Sequence, residues 1–227
     1  MKKTIAIVAL AGLTGLAGAD TVANWAFNDQ GLPGGGFGFE VSDFPYNADV
    51  GSGSMTLANF NSDATTGVYN WVQSFAGTTT LSIDGVSGGS FAFQGAVNQG
   101  VTNNGAQAIF SFDGSAWNSL SIDFARRGTS TGFNLLIIEI FDGGSSLGVI
   151  DTIAGAQSST WNSNNYDLSA LDGIADASVV FTFDGATSDT GNNRLDNVTI
   201  SGTVIPTPGA LALLGMSGLV ATRRRRS

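Results

Sequence analysis

The spacing of apolar residues between positions 20 and 204 constrains the fold more than any other feature of this sequence. Apolar side chains recur in short alternating runs bounded by Gly, Asn, Ser and Asp, and no segment sustains the 3.6-residue period of an amphipathic helix. Leu120, Ile122 and Phe124, for example, alternate with polar residues. Because successive side chains of a strand point to opposite faces, this pattern predicts strands that are buried on one side. The fold class is therefore predicted to be all-β, a jelly-roll β-sandwich over residues 20–204.

The alternating runs predict ten strands in this body. They are Thr21–Asn28, Thr78–Ile83, Ser90–Gln94, Ala106–Phe112, Ser119–Ala125, Phe133–Phe141, Leu147–Ile150, Thr160–Asp167, Ser178–Phe183 and Leu195–Thr203. Phe133–Phe141 is almost wholly apolar, so it is expected at the centre of a sheet. The less regular stretch Gln30–Gly77 is expected to form long loops or a small extra hairpin, and Ala170–Ala175 a short helical turn.

The residue types that are missing limit the chemistry. The 227 residues include no His and no Cys, which excludes a Ser-His-Asp triad, a His-bound zinc and a thiol nucleophile. Paired carboxylates remain available for glycoside hydrolysis. However, Glu139 and Asp142 fall on opposite faces of their predicted strand, and Glu40 is the only other Glu. We therefore assign no catalytic and no cofactor-binding residue and predict no enzyme, with a glycan-active hydrolase as an alternative.

Charge is distributed unevenly along the chain. All 18 carboxylates lie between residues 20 and 204, where Arg126, Arg127 and Arg194 are the only cations, so this body carries a net charge of about −15. Binding to a phosphate backbone needs clustered cations. Nucleic acid is therefore excluded as a partner of the body.

The N-terminus has the three parts of a secretory signal peptide. Lys2 and Lys3 precede the apolar run Ile5–Leu16, and the small residues Ala17-Gly18-Ala19 follow it. About 12 apolar residues are too few for a helix that crosses a bilayer, which needs about 20. Residues 1–19 thus predict export.

The C-terminal segment, residues 205–227, also has three parts. Its motif residues are Pro206, Thr207, Pro208, Arg223, Arg224, Arg225 and Arg226. An uncharged, mostly apolar run, GALALLGMSGLVA, separates the prolines from the arginines. We expect a single hydrophobic helix that tethers the precursor to the inner membrane, with the arginines in the cytoplasm and the body outside.

Residues 204–227, VIPTPGALALLGMSGLVATRRRRS, resemble the PEP-CTERM sorting signal of Gram-negative bacteria. In that family an exosortase recognises and removes the tail, and the protein reaches the cell surface or extracellular matrix, often alongside exopolysaccharide production and biofilm. Thr207 stands where the family usually has Glu. The resemblance implies an exosortase-type partner and transient membrane attachment.

The closing strand contains the candidate metal ligand Asp196. Alternation places Asp196 on the same face as Val198, where a lone carboxylate is costly. First and last strands are neighbours in jelly rolls, so we expect Asp196 and Asp29 to meet at a structural calcium ion, with Asn28 as a further ligand. The alternatives are that Asp196 accepts backbone N–H bonds or pairs with Arg194.

Residues 179–202, VVFTFDGATSDTGNNRLDNVTISG, resemble the closing part of jelly-roll domains on bacterial secreted proteins, which include carbohydrate-binding modules. The run Arg194-Leu195-Asp196-Asn197-Val198 matches their closing strand, whose Asp often binds a structural calcium. By this resemblance the calcium role falls to Asp196.

Three tryptophans near Asn-rich loops, Trp71, Trp117 and Trp161, are candidate platforms for stacking on a sugar ring. The alternative for each is a place in the core. The sequence as a whole predicts an exported, non-catalytic protein of the cell surface or matrix whose partner is an extracellular polysaccharide. A glycan-active hydrolase and a protein-binding adhesin are the alternatives.

Overall fold

The computed structural model describes residues 19–28, 38–95 and 102–206. In these ranges the chain forms fifteen β-strands and two short 3-10 helices, Val41–Asp43 and Ser169–Leu171. The strands are β1 (Asp20–Trp25), β2 (Gly38–Glu40), β3 (Tyr46–Asn47), β4 (Val50–Gly51), β5 (Gly53–Ala58), β6 (Ser62–Asp63), β7 (Val68–Ala76), β8 (Gly89–Gln94), β9 (Ala106–Phe112), β10 (Trp117–Gly128), β11 (Leu135–Asp142), β12 (Ser145–Ala154), β13 (Asn162–Asp167), β14 (Ala177–Asp184) and β15 (Asn192–Val204). The prediction of an all-β body is confirmed.

These strands form two antiparallel sheets. The first sheet has the order β13-β10-β15-β8-β7-β2, with β1 beside β15, β4 beside β1 and β6 beside β7. The second sheet has the order β12-β11-β14-β9-β5-β3. The ring of Phe124 in the first sheet lies edge-on to that of Phe181 in the second, with centroids 5.0 Å apart. The two sheets therefore pack face to face as a β-sandwich.

One face of each strand supplies the core. In β9, Ala106, Ala108, Phe110 and Phe112 are buried, whereas the residues between them are partly exposed. The two sheets meet through aromatic rings, and the Trp25 ring of β1 in the first sheet also lies edge-on to the Phe110 ring of β9 in the second, with centroids 5.0 Å apart. Burying each such side chain contributes about 1.5–3 kcal/mol, so this core holds the outer faces of the sheets in place.

Nine of the ten predicted strands are present, and Thr78–Ile83 is the exception. This segment consists of turns and bends, and Leu81 has a φ of 62°. The backbone of Thr78 bonds to the side chains of Asp196 and Asn197 rather than to a neighbouring strand. The alternation of apolar and polar residues at Leu81, Ser82 and Ile83 was therefore a misleading signal, because the hydrogen-bond partners of the Thr78 backbone lie far away in the chain.

The stretch Gln30–Gly77 is more regular than predicted. Its described part contains β2 to β7, of which β5 lies between β9 and β3 in the second sheet and β7 lies between β8 and β2 in the first. Of the two alternatives predicted for this stretch, long loops are therefore wrong for residues 38–77, and one small extra hairpin understates a segment that supplies strands to both sheets. The segment Phe133–Phe141 was predicted at the centre of a sheet; β11 is an interior strand between β12 and β14, but it is second from the edge. The predicted helical turn appears as Ser169–Leu171.

The predictions for the two ends fall outside the described residues. These are the signal peptide, of which only Ala19 is described, and the tail from Thr207 onwards, including its hydrophobic helix and arginines. Asp29 is also outside them. Among the residues that are described, no helix is long and apolar enough to cross a membrane.

Candidate functional site

The closing strand β15 changes neighbours halfway along one edge. Its residues Asn192–Leu195 pair with β8, whereas Val198–Gly202 pair with β1. Asp196 and Asn197 lie between these two segments. The prediction that the first and last strands are neighbours is thus confirmed, and the candidate metal ligand sits where β1 and β8 separate.

The alternation of side chains along β15 is interrupted at this point. Leu195 and Val198 are both in the core although they are three positions apart. Asn197 between them has a φ of 50°, and the register with β10 shifts between Asp123 and Ala125. An extra residue of this kind is a β-bulge, which reverses the phase of the strand. The expectation that Asp196 shares the face of Val198 was therefore wrong.

Backbone N–H groups hold the Asp196 carboxylate. Its Oδ2 accepts a hydrogen bond from the Thr78 N–H at 2.6 Å, and its Oδ1 accepts one from the Asn197 N–H at 2.9 Å. The Asn197 amide in turn donates to the carbonyls of Thr78 and Thr80 at 2.8 and 3.0 Å. Asp196 and Asn197 therefore fix the connection between β7 and β8. Arg194 bonds to Asn192 and to the Ala76 carbonyl instead of to Asp196.

The charge on Asp196 is poorly compensated. Its side chain is only 1% exposed. Burial raises its pKa to about 8, against the opposing effect of the N–H groups of Thr78 and Asn197, and the nearby negative charge of Asp84 adds to the rise. Because a buried and poorly compensated negative charge is costly, either protonation or a bound cation would stabilise this carboxylate.

Further oxygen atoms gather around this carboxylate. A Cβ atom built on Gly77 would lie 2.5 Å from Asp196 Oδ2, 2.4 Å from the Ser87 carbonyl oxygen and 2.2 Å from that of Gly89. The three oxygens therefore surround one small volume. Only a glycine fits at position 77, because the backbone of β8 approaches it so closely.

Two amide oxygens beside this cluster have no hydrogen-bond partner. Asn28 donates through Nδ2 to Asp84 Oδ2 at 3.2 Å, while its Oδ1 is buried and unpaired. Oδ1 of Asn197 is also buried and unpaired. Oxygen donors of this kind suit a hard cation such as Ca²⁺. Within residues 19–28, 38–95 and 102–206 no three acidic residues group as a metal cluster, so amide and backbone oxygens would have to complete the site.

The three candidate tryptophans lie apart from one another. Trp161 immediately precedes the edge strand β13, whereas Trp71 belongs to β7, on the far side of β15 and β8. Trp117 begins β10 opposite Val204, packs against the core and lines a cavity of about 330 Å³ together with Val22 and Asp113. All three side chains are partly exposed. They cannot form one platform, so each has to be tested separately.

The outer face of the first sheet carries a row of residues that sequence reasoning missed. Arg127 on β10 lies directly opposite Arg194 on β15. The Arg194 guanidinium lies over the Phe75 ring, 4.6 Å from its centroid, and that of Arg127 lies 5.8 Å from the Trp161 ring. We call Phe75, Arg194, Arg127 and Trp161 the aromatic–arginine row. All three body cations lie on two strands, β10 and β15, but only the pairing of these strands shows that Arg127 and Arg194 are opposite each other.

Comparisons with known proteins give no family for this chain. No protein-family model matches the sequence, and no curated protein matches it. Among solved structures, the K3 cleaved adhesin domain of Lys-gingipain from Porphyromonas gingivalis is similar, with 14% identity, a TM-score of 0.47 and coverage of 81% of this chain and 99% of that one.

Two further similar structures are carbohydrate-binding modules by their names. TmCBM61, solved in complex with β-1,4-galactotriose, has 9% identity and a TM-score of 0.40, with coverage of 64% of this chain and 86% of that one. A CBM4 structure has 13% identity and a TM-score of 0.36, with coverage of 51% and 70%. With TM-scores below 0.5, these similarities do not determine the function of this chain.

Proposed function

We propose that this protein is an exported, non-catalytic β-sandwich module of jelly-roll type that binds extracellular polysaccharide. The observation that carries the proposal is the partly exposed Trp161 indole on the outer face of the first sheet. The adjoining edge strand β13 exposes Ser163, Asn165 and Asp167. An aromatic plane beside amide, hydroxyl and carboxylate groups offers a sugar both a stacking surface and hydrogen-bond partners.

Export and sorting are supported by the order of segments along the sequence. A signal peptide at residues 1–19 would deliver the body across the inner membrane, and the tail from Pro206 to Arg226 would hold it there until an exosortase-type enzyme releases it. The protein would then join the cell surface or matrix of a Gram-negative bacterium. Localisation of the tagged chain with and without residues 206–227 tests this, since retention should be lost only when the tail is absent.

A structural calcium ion at Asp196 is part of the proposal. Asp196, Asp84 and the unpaired amide oxygens of Asn28 and Asn197 are the groups that would hold it, with Asp29 as a further ligand. The ion would neutralise the buried carboxylate. The loop beside the ion would need no further support, because the Asn197 amide already holds the Thr78 and Thr80 carbonyls against the closing strand.

Binding of full-length protein to a panel of soluble polysaccharides, measured by affinity electrophoresis, tests the binding function. We expect Trp161→Ala to weaken binding at least tenfold. Trp117→Ala is the matched control, because that indole lies at the opposite end of β10. Equal loss in both variants would contradict the assignment to Trp161, and retention on no polysaccharide would contradict the function. Release of reducing ends from any bound polymer would contradict the non-catalytic role.

A further inference from the structure

Arg127 and Arg194 are placed where their charges repel each other. Directly opposite residues in an antiparallel pair have Cβ atoms about 4.5–5.5 Å apart, and like charges at this position destabilise a sheet. Burial lowers the pKa of Arg194, and the charge of Arg127 lowers it further. Two of the three cations of this acidic body therefore lie side by side on its outer face.

Neither guanidinium forms an ion pair with a carboxylate in the described part of the chain. Arg194 donates to Asn192 Oδ1 at 3.2 Å and to the Ala76 carbonyl at 3.1 Å, and each guanidinium lies against an aromatic ring. A guanidinium has five N–H donors, so most of those of Arg194 remain available to a ligand. Both side chains are partly exposed.

The third body cation is arranged differently. Arg126 donates through Nε to Asn164 Oδ1 at 3.0 Å and through Nη1 to the Ala156 carbonyl at 3.3 Å. These bonds hold the Arg126 side chain on the face of β10 opposite to that of Arg127. The residue directly opposite Arg126 on β15 is Leu195. The exposed pair is therefore a feature of the aromatic–arginine row and not of the arginines in general.

We propose that Arg127 and Arg194 form a subsite for the carboxylate groups of an acidic, uronate-containing polysaccharide. This deepens the proposed polysaccharide-binding function and rests on it. The planar guanidinium matches a carboxylate with two parallel N–H···O bonds, and the partly exposed rings of Trp161 and Phe75 lie at the two ends of the pair.

Charge complementarity favours this occupant over a neutral glycan. The bound carboxylate relieves the repulsion between the two guanidinium groups, whereas a neutral sugar leaves it in place. The surrounding carboxylates repel an anionic chain, but at physiological ionic strength this repulsion fades over about 8 Å, while direct contacts are screened much less. Binding is therefore expected to depend on contact with the pair and not on the overall field of the body.

The test compares polygalacturonate with its fully methyl-esterified form, which keeps the sugars and removes the charge. Full-length protein is used in the presence of chelator, so that calcium cannot bridge the polymer to carboxylates of the body. We expect wild type to bind polygalacturonate at least tenfold more tightly than the ester. Arg127→Gln and Arg194→Gln should abolish this preference, and Arg126→Gln, with the same change of charge, should retain it. Melting temperatures of the three variants establish that each is folded.

Each other outcome overturns the inference in a distinguishable way. Equal affinity for the two polymers, or a preference that survives in Arg127→Gln and Arg194→Gln, contradicts the carboxylate subsite but leaves polysaccharide binding standing. Tighter binding of dextran sulfate or of poly-glutamate than of polygalacturonate shows that the pair recognises sulfate or an acidic protein instead. Retention on none of these polymers and on no neutral polysaccharide contradicts the proposed function itself.

Discussion

The Thr78 backbone N–H donates a hydrogen bond to the Asp196 carboxylate across 2.6 Å, although 118 positions separate the two residues. The bond joins the connection after β7 to the closing strand at the point where β1 and β8 part. A charge buried at such a junction affects the stability of both sheet segments. The protonation and metal-binding state of Asp196 should therefore be visible in the stability of the whole body.

In the presence of chelator, the stability of the protein should decrease as the pH rises from about 5, where the other carboxylates have ionised, to about 8. The pKa of Asp196 is raised from 3.8 to about 8 in the folded state, so in this range the folded protein holds a proton that the unfolded chain has released. The free energy of unfolding should fall by up to about 1.4 kcal/mol per pH unit. Urea unfolding at several pH values measures this slope.

Asp196→Asn is the control for that slope, because its side chain does not titrate. The chain has no His, so no other side chain with an ordinary pKa changes charge between pH 5 and 8. The variant should show a flat profile in this window. The measurement compares the slope of the unfolding free energy against pH and not the absolute stability. The absolute stability changes as well, because the Asn side chain can accept only one of the two N–H bonds that the Asp196 carboxylate accepts. A wild-type profile that is flat or rises with pH would contradict the raised pKa.

Calcium should raise the melting temperature of the wild-type protein and not that of Asp196→Ala. A ligand that binds only the folded state stabilises it by about 2.7 kcal/mol at a concentration one hundred times its dissociation constant. Asn28→Ala should weaken the effect, because it removes an unpaired oxygen at the edge of the site. Asp113→Asn, at an exposed carboxylate that bonds to the Ser115 N–H, should behave as wild type. An equal shift in all four proteins, or no shift in any, would contradict the calcium site.

The sequence predicted the structure correctly where the local pattern of residues determines it. It was misleading where contacts with residues distant in the chain determine the structure. Alternation was enough to predict β9 and β15, and the pairing of the first and last strands followed from the expected fold. The β-bulge at Asn197 could not be seen in the spacing of apolar residues. One residue with a positive φ reverses which face of the strand the following side chains occupy, without changing the residue types in the strand. Thr78 illustrates the other limit, since its backbone is paired by side chains from the end of the chain.

The aromatic–arginine row could not be predicted because it depends on register. Arg127 and Arg194 belong to strands that were both predicted, yet a shift of one residue in their pairing would separate the two charges. That register is set by turns and by bulges between Asn118 and Ser121 and between Asp123 and Ala125. The sequence alone therefore places both arginines next to predicted strands but does not show that they lie opposite each other.

Asn193→Ala should destabilise the protein by about 2–4 kcal/mol. The buried Asn193 side chain accepts a hydrogen bond from the Phe133 N–H at 2.7 Å and donates to the Phe133 carbonyl at 2.9 Å. Its removal leaves both backbone groups of Phe133 unpaired, and each orphaned buried group costs about 1–3 kcal/mol. Asn165→Ala, which removes only an exposed bond to Asp123, should change stability by less than about 0.5 kcal/mol. Equal effects of the two substitutions in chemical denaturation would contradict the structural role of Asn193.

Tyr166 should ionise well above the ordinary range of a tyrosine. Its ring packs against Phe124, and its hydroxyl donates to Asp151 Oδ2 at 2.5 Å. Burial raises its pKa to about 12, and the hydrogen bond to the Asp151 carboxylate adds to the rise because it stabilises the neutral hydroxyl. The near-ultraviolet absorbance of tyrosinate, followed against pH, should show one of the three tyrosines titrating near pH 12. Tyr166→Phe should remove that component.

Ionisation of Tyr166 also has a consequence for stability at alkaline pH. Because the folded-state pKa lies above that of the unfolded chain, the contribution of the neutral hydroxyl is complete below pH 10 and is lost as the pH rises towards 12. The bond to Asp151 connects β13 of the first sheet to β12 of the second, so its loss should loosen the edge of the sandwich next to Trp161. Quenching of tryptophan fluorescence by acrylamide should then increase between pH 10 and 12 in wild type, and Tyr166→Phe should show no such increase. An increase of the same size in both proteins would assign it to general alkaline unfolding and not to Tyr166.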